Sequence, residues 1–174
     1  RPADANETSV AWGEILRRTD RPAGIILSRQ DLRIVARGDE YSSAEGVARG
    51  GYVLKEASEK PRLILIASGS EVALALEAAA KLEEDNVPTR VVSMPCMEWF
   101  DEQGPEYCES VLPKDVKARV SIEAGIAMGW GRYVGDAGAS ISIECFGASA
   151  AGSKCFEEYG FTVDNVIKTA RSVL

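Results

Sequence analysis

The chain has 174 residues, enough for one full α/β core and too few for two ordinary domains that each bury a core of their own. Hydrophobic residues make up 45% of it and charged residues 27%, the balance of a folded globular chain rather than a disordered or fibrous one. The 20 basic against 27 acidic residues give a formal charge of −7, and no stretch gathers Lys and Arg into a stripe that would neutralise a phosphate backbone, which argues against a nucleic-acid partner.

Residues 1–22 open with Pro2 and Asp4 and then read as a short helix, with Ala11 and Ile15 on one side, Trp12 and Leu16 beside them, and Asp4 or Asn6 as the cap. Ala23 to Leu27 is a compact apolar run, expected as a buried strand that ends at Ser28-Arg29-Gln30 and so puts that trio at the carboxyl end of a strand. Residues 36–51 are rich in Gly, Ser and charge and read as a linker with little regular structure. Tyr52 to Leu54 is a short strand and Leu63 to Ala67 a fully buried one. Gly69 and Ser70 break the latter, and Val72, Ala73, Leu76, Ala79 and Ala80 then recur at helical spacing up to Asn86, with Ser70 as N-cap.

Thr89 to Ser93 is the next strand, rich in β-branched residues and ended by Pro95. Two short helices follow, around Trp99 to Gln103 and Glu106 to Leu112. Val116 to Glu123 and Ile141 to Phe146 read as the remaining strands, and helices near Ala150 to Tyr159 and Thr162 to Leu174 close the chain. In the last helix Val163, Val166, Ile167, Ala170 and Val173 form one apolar stripe, with Thr162 placed to cap and Asp164 favourable in the first turn. Repeated strand-then-helix order predicts an α/β, three-layer fold: about five strands, mostly parallel, with helices on both faces. The expected organisation is a loosely attached helix and strand over residues 1–35, a linker over 36–51 and the sheet domain over 52–174.

No apolar run is longer than Leu63 to Ala67, far below the roughly 20 residues of a membrane span, and the amino terminus carries no signal-peptide pattern, so the expected location is cytoplasmic. Cys96, Cys108, Cys145 and Cys155 show no Cys-x-x-Cys spacing and are expected as buried reduced thiols. The absence of any His removes the commonest second ligand of structural zinc. It also leaves a Ser or Cys nucleophile without an imidazole to activate it, which excludes the usual hydrolase triads within this chain.

Four groups of residues invite a chemical reading. Ser68-Gly69-Ser70-Glu71 lies where a strand turns into a helix, a place for an anion, although Glu71 would repel a phosphate and a plain turn is the stronger reading. Gly135-Asp136-Ala137-Gly138, with Asn165 downstream, has the outline of a Gly-Asp-Gly metal motif. Ala137 stands at the second glycine position, however, and the tetrapeptide precedes a strand rather than following one, so a loop turn is expected. Glu123, followed by Gly125, Gly129 and Gly131, is either a general base or, more in keeping with its lack of a partner, a structural carboxylate accepting bonds from that glycine-rich turn. Ser28-Arg29-Gln30 is the best binding candidate, because ligands of open α/β sheets gather beyond strand carboxyl ends and an Arg there suits a phosphate or carboxylate.

Arg1-Pro2-Ala3-Asp4-Ala5-Asn6-Glu7-Thr8, Leu27-Ser28-Arg29-Gln30 and Ala48-Arg49-Gly50-Gly51-Tyr52-Val53-Leu54 resemble the end of a transketolase pyrimidine-binding domain and its exit. The likeness continues through Ala67-Ser68-Gly69-Ser70-Glu71-Val72, Arg90-Val91-Val92-Ser93-Met94-Pro95 and Glu109-Ser110-Val111-Leu112-Pro113. It closes with Phe146-Gly147-Ala148-Ser149-Ala150 and Tyr159-Gly160-Phe161-Thr162-Val163-Asp164-Asn165-Val166. Departures are small: Ala151-Gly152 stands where the family often has Pro, and Gly131 follows Trp130 where a larger residue is common.

The resemblance implies the C-terminal part of a dimeric enzyme that moves a two-carbon ketol unit between ketose and aldose phosphates, using thiamine diphosphate and Mg²⁺ or Ca²⁺. Its partners would be the remainder of the transketolase chain, the homodimer mate and sugar phosphates. The family's cofactor-binding region, activating Glu and catalytic histidines would lie upstream of Arg1, so no catalytic, cofactor or metal residue is carried over and the chain alone is expected to be inactive. Arg29 alone matches a substrate-contacting residue, the arginine that binds the sugar phosphate. Beginning at Arg1 within a family motif, the chain reads as a truncated product. The rival reading is a stand-alone module that holds an anionic effector at the Ser70 helix start.

Overall fold

Five apolar residues in succession, Leu63 to Ala67, are buried on both sides, and only the centre of a doubly covered sheet offers that environment. The computed structural model describes residues 1–174 and places this segment as β2 (Leu63–Ala67), in the middle of a five-stranded sheet. The other strands are β1 (Tyr52–Lys55), β3 (Thr89–Ser93), β4 (Arg119–Ile122) and β5 (Ala139–Ile141), in the spatial order β1-β3-β2-β4-β5. β2 runs parallel to β3 and β4, β4 runs parallel to β5, and β1 alone is antiparallel, on the edge beside β3. Leu65 stands opposite Val91 on one side and Val120 on the other.

Because side chains alternate along a strand, β2 feeds two cores. Leu63, Leu65 and Ala67 point to the face covered by α2 (Glu71–Glu84) and α7 (Val163–Ser172), where Val72, Ala75, Ala79, Leu82, Val166 and Ala170 meet them. Ile64 and Ile66 point the other way, against α3 (Met97–Asp101), α4 (Pro105–Val111) and α5 (Gly131–Val134), through Phe100, Val111, Trp130 and Tyr133. Each fully buried Leu or Ile contributes about 1.5–3 kcal/mol by leaving water, which makes β2 the strongest local determinant of the fold. The three-layer, mostly parallel arrangement is the expected one.

Helix ends follow their sequence signals at two places. Thr162 caps α7 by accepting from the Asn165 backbone N–H at 3.3 Å, and Asp4 caps α1 (Ala5–Arg17) by accepting from Glu7 N–H at 2.9 Å. Ser70 does not cap α2: its backbone is already helical, and its hydroxyl turns to the Glu71 carboxylate instead.

Four further expectations are corrected. Ala23 to Leu27 does not form a strand; Ile26 and Leu27 are 66% and 53% exposed, because no strand of this chain lies beside the segment to complete a hydrogen-bond ladder. The fourth strand starts at Arg119 rather than Val116, since Val116 N–H closes a turn onto Pro113. The fifth strand occupies 139–141 rather than 141–146: β4 ends at Ile122, and beyond it only two bonds, Glu123 N–H to Ile141 O at 3.1 Å and Ile143 N–H to Gly125 O at 2.8 Å, continue the pairing. The cysteines are free but not buried, with Cys145 exposed and the other three half-exposed in peripheral loops and short helices.

Between α1 and residue 44 the chain forms no helix or strand, but the end of the expected linker is structured. Ala44–Arg49 is a 3₁₀ turn with Val47 buried, and a side chain at Gly46 would meet the Tyr52 ring at 2.3 Å. α6 (Gly152–Glu158), by contrast, buries no residue. No helix is long and apolar enough to cross a membrane.

Candidate functional site

Two buried polar clusters and one cleft lie where the amino-terminal segment meets the sheet. The first cluster is built on α1. With Asp4 at the N-cap, Glu7 falls three residues on, the spacing at which a carboxylate turns back to the helix start, and its Oε2 accepts the Ala3 N–H at 2.8 Å. Its other oxygen takes the Tyr52 hydroxyl at 2.8 Å and the Ser93 hydroxyl at 2.7 Å. Asp4 accepts the Val35 N–H at 3.0 Å and lies 3.3 Å from the Arg37 guanidinium, which also receives the charge of Glu7 at 3.8 Å. Both carboxylates are almost fully buried, and their stability in that position rests on these donors. Burial, then the neighbouring Glu7 charge, push the Tyr52 hydroxyl far above its ordinary titration range, so it stays protonated, donating to Glu7 while its oxygen accepts from Arg37 Nη1 at 3.0 Å.

The second cluster sits at the carboxyl ends of β2 and β4. Arg1 Nη1 is 2.9 Å from Glu123 Oε1, and Arg1 Nη2 is 2.9 Å from Glu71 Oε2. Glu123 also accepts from the Ser68 hydroxyl at 2.7 Å and from the Trp130 indole N–H at 2.9 Å. Burial works to raise the Glu123 carboxyl, but the bonds from Ser68, Arg1 and Trp130 outweigh it and hold the group below the usual carboxylate range. Glu123 is therefore an ionised, fully engaged acceptor rather than a general base. Its donors are these three side chains and not the glycine-rich turn after it.

The cleft, about 480 Å³, runs between α1, residues 21–26 and residues 94–99. Arg18 stacks over Trp99 at 4.3 Å, and Arg18 and Arg21 both pair with Glu102 at 2.7 Å, so its cationic groups are held within the chain. Cys96, on the same wall, has its thiol pushed up by burial and is no ready nucleophile.

Of the residues singled out by sequence motif, Ser68, Glu71 and Glu123 meet in the second cluster, and the others take no part in it. Arg29 and Gln30 are exposed at a bend, with Ser28 half-buried, and lie at no strand end. The Ser70 helix start holds a carboxylate already: Glu71 is fully buried against Arg1 and accepts the Ala124 N–H at 3.1 Å, an environment that repels an anionic effector. Gly135 to Gly138 is the turn between α5 and β5, with Gly135 at φ 69° and a Gly138 whose Cβ would lie 2.5 Å from Val134 O. Asn165 is committed to Gly160 O at 2.9 Å. No group of three Asp, Glu, Cys or His side chains is placed to share a cation. The functional contacts that sequence reasoning passed over are those of Arg1, Glu7 and Trp130; of these only the Asp4-x-x-Glu7 spacing carries a local signal.

The family model described as the Transketolase-like TK C-terminal domain matches residues 50–162. Transketolase 1 of Escherichia coli is 51% identical over 174 residues, which is 100% of this chain and 26% of the relative. The transketolase of Mycobacterium tuberculosis strain H37Rv is 50% identical over 181 residues, 100% of this chain and 25% of that one. Among solved structures, transketolase from Leishmania mexicana superposes with a TM-score of 0.88 at 39% identity, covering 99% of this chain and 24% of that protein. The chain thus spans about a quarter of the length of the relatives it matches. A domain match over 113 consecutive positions, joined to half-identity along the whole chain in unbroken order, places it: the chain belongs to the transketolase family, in the region of the family's C-terminal domain.

Proposed function

We propose that this chain is the C-terminal part of a transketolase of the pentose phosphate pathway. The complete enzyme transfers a two-carbon ketol unit between ketose and aldose phosphates, with thiamine diphosphate and Mg²⁺ or Ca²⁺, as a cytoplasmic homodimer. The observation that carries the reading is the 51% identity to a transketolase over every residue of the chain. A transketolase from Pichia stipitis, 37% identical here, is described in complex with a seven-carbon sugar phosphate, which supports phosphorylated sugars as the substrate class.

Within that reading residues 1–35 are the end of the pyrimidine-binding domain, 36–51 the linker and 52–174 the C-terminal domain. The exposed apolar run Ala23 to Leu27 then becomes a strand by pairing with the sheet of the domain to which it belongs, and this brings Arg29 to a strand end where its planar fork meets the sugar phosphate. The chain by itself is inactive and has a structural or regulatory role. Titration calorimetry of the chain with thiamine diphosphate and Mg²⁺ tests this. No saturable heat is expected, and micromolar binding overturns it.

A further inference from the structure

The connections around β2 and β4 create a switch point. After β2 the chain passes to α2 on one face of the sheet; after β4 it passes through a 3₁₀ turn at Ala127–Gly129 to α5 on the other. The two strands are parallel neighbours, so the loops that leave them diverge and open a crevice at their carboxyl ends. In open α/β sheets this is where ligands are held.

Here the crevice contains a side chain of the protein itself. The guanidinium of Arg1 spans it, 2.9 Å from Glu71 Oε2 on the β2 side and 2.9 Å from Glu123 Oε1 on the β4 side, with Ser68 Oγ at 3.2 Å. The Arg1 main chain is bound as well: its nitrogen donates to Pro95 O at 2.8 Å, after β3, and its carbonyl accepts from Gly69 N–H at 3.0 Å. Gly69 has φ 59°, and a Cβ there would stand 3.1 Å from Arg1 Nη2, so the loop is shaped around the guanidinium. The two carboxylates are in turn fixed from behind, Glu71 by Ala124 N–H at 3.1 Å and Glu123 by the Trp130 indole at 2.9 Å. Two carboxylates aimed from opposite walls at one planar cation match the geometry of a guanidinium, which donates in several directions at once, better than that of a point charge.

We propose that the crevice at the β2/β4 switch point is a guanidinium-recognition site whose resident ligand is Arg1, and that its occupancy docks the amino-terminal segment on the sheet. The site is independent of the sugar-phosphate reading of Arg29 and of any cofactor. Deleting the ligand while keeping its receptor leaves a site of defined chemistry: Arg1→Ala creates a vacant, doubly acidic pocket that an alkylguanidinium of matching size can refill.

The test is chemical rescue of the full chain with ethylguanidinium at millimolar concentration, far below denaturing levels. In Arg1→Ala the indole N–H resonance of Trp130, assigned with Trp130→Phe, shifts saturably and the melting temperature rises. In the unsubstituted chain, where the site is filled, neither changes. Ethylammonium at equal ionic strength gives less than one-third of the effect. Adding Glu71→Gln to Arg1→Ala abolishes the response. If Arg1→Ala does not fold unaided, refolding in ethylguanidinium restores the native spectrum. An equal response to ethylammonium, an equal response of the unsubstituted chain, or no recovery of an unfolded variant overturns the proposal.

Discussion

The Tyr52 hydroxyl donates to Glu7 Oε1 at 2.8 Å, joining the first residue of the edge strand to the first turn of a helix 45 residues earlier. Glu7 has no exposed surface, and its charge is matched by three hydrogen-bond donors drawn from separate parts of the chain, Ala3, Tyr52 and Ser93, and by the Arg37 guanidinium at 3.8 Å. Tyr52→Phe removes one bond to a buried charge and is expected to cost about 1.5–3 kcal/mol in urea unfolding. Glu7→Ala leaves the Arg37 charge and two buried hydroxyls short of a partner and is expected to cost more than Tyr52→Phe. Equal stability of the two variants would show that the carboxylate is not the centre of the network.

Acid sensitivity is expected to run through Glu123. The group is held below its ordinary value when folded, so between the folded and unfolded values the unfolded chain binds more protons. Its contribution is complete above the unfolded value of about 4.3 and is lost as the pH falls through the depressed folded value. Glu123→Gln should therefore be less stable than the parent at pH 7, with the difference shrinking below pH ~4 in urea titrations at a series of pH values. A gap that stays constant to pH ~3 would contradict this assignment.

Gly50 stands at φ 80°, and a Cβ on it would come within 2.2 Å of Phe100 N and 2.3 Å of Cys96 O, both backbone atoms. Its own carbonyl accepts from Cys96 N–H at 2.9 Å, so the two segments cannot separate without losing a bond. Gly50→Ala is expected to destabilise the chain by about 3 kcal/mol or more, combining left-handed strain with steric overlap. Gly24→Ala, with nothing within 4 Å of the added carbon, is the control and should change stability by less than about 0.5 kcal/mol.

The proposed pairing of Ala23 to Leu27 makes a prediction about context. Leu27 is 53% exposed in this chain, so Leu27→Asp should be nearly neutral here, within about 0.5 kcal/mol by thermal or urea unfolding. In a full-length transketolase carrying this region the same substitution places a charge in a buried strand and should cost several kcal/mol or prevent folding. Neutrality in both contexts would refute the strand.

Arg29 is tested in the same full-length setting. A charge-assisted bond to a phosphate is worth about 1.5–3 kcal/mol, so Arg29→Ala should reduce kcat/KM for ketose phosphates by roughly ten- to a hundredfold, and Lys should rescue only in part. Hydroxypyruvate, an unphosphorylated donor, should be spared. An equal loss with both donors would assign Arg29 to holding the segment in place.

Local sequence determined the elements whose signals are local. The apolar block Leu63 to Ala67, the helical periodicity after Gly69, the Thr162 cap and the α7 stripe each stand where residue order puts them, because hydrophobic spacing and capping chemistry act over a single turn or strand. The family was legible for the same reason, since its motifs are contiguous. Tertiary structure decided the rest. Ala23 to Leu27 has strand composition but no neighbour, and Ser142 to Phe146 runs past the end of its partner β4, so both remain outside the ladder: a strand requires a second chain segment that its own residues do not specify. The Arg1 crevice and the Glu7 network join residues 67, 122, 45 and 86 positions apart, and only folding brings such charges within bonding distance, where each must find its donors or leave the interior.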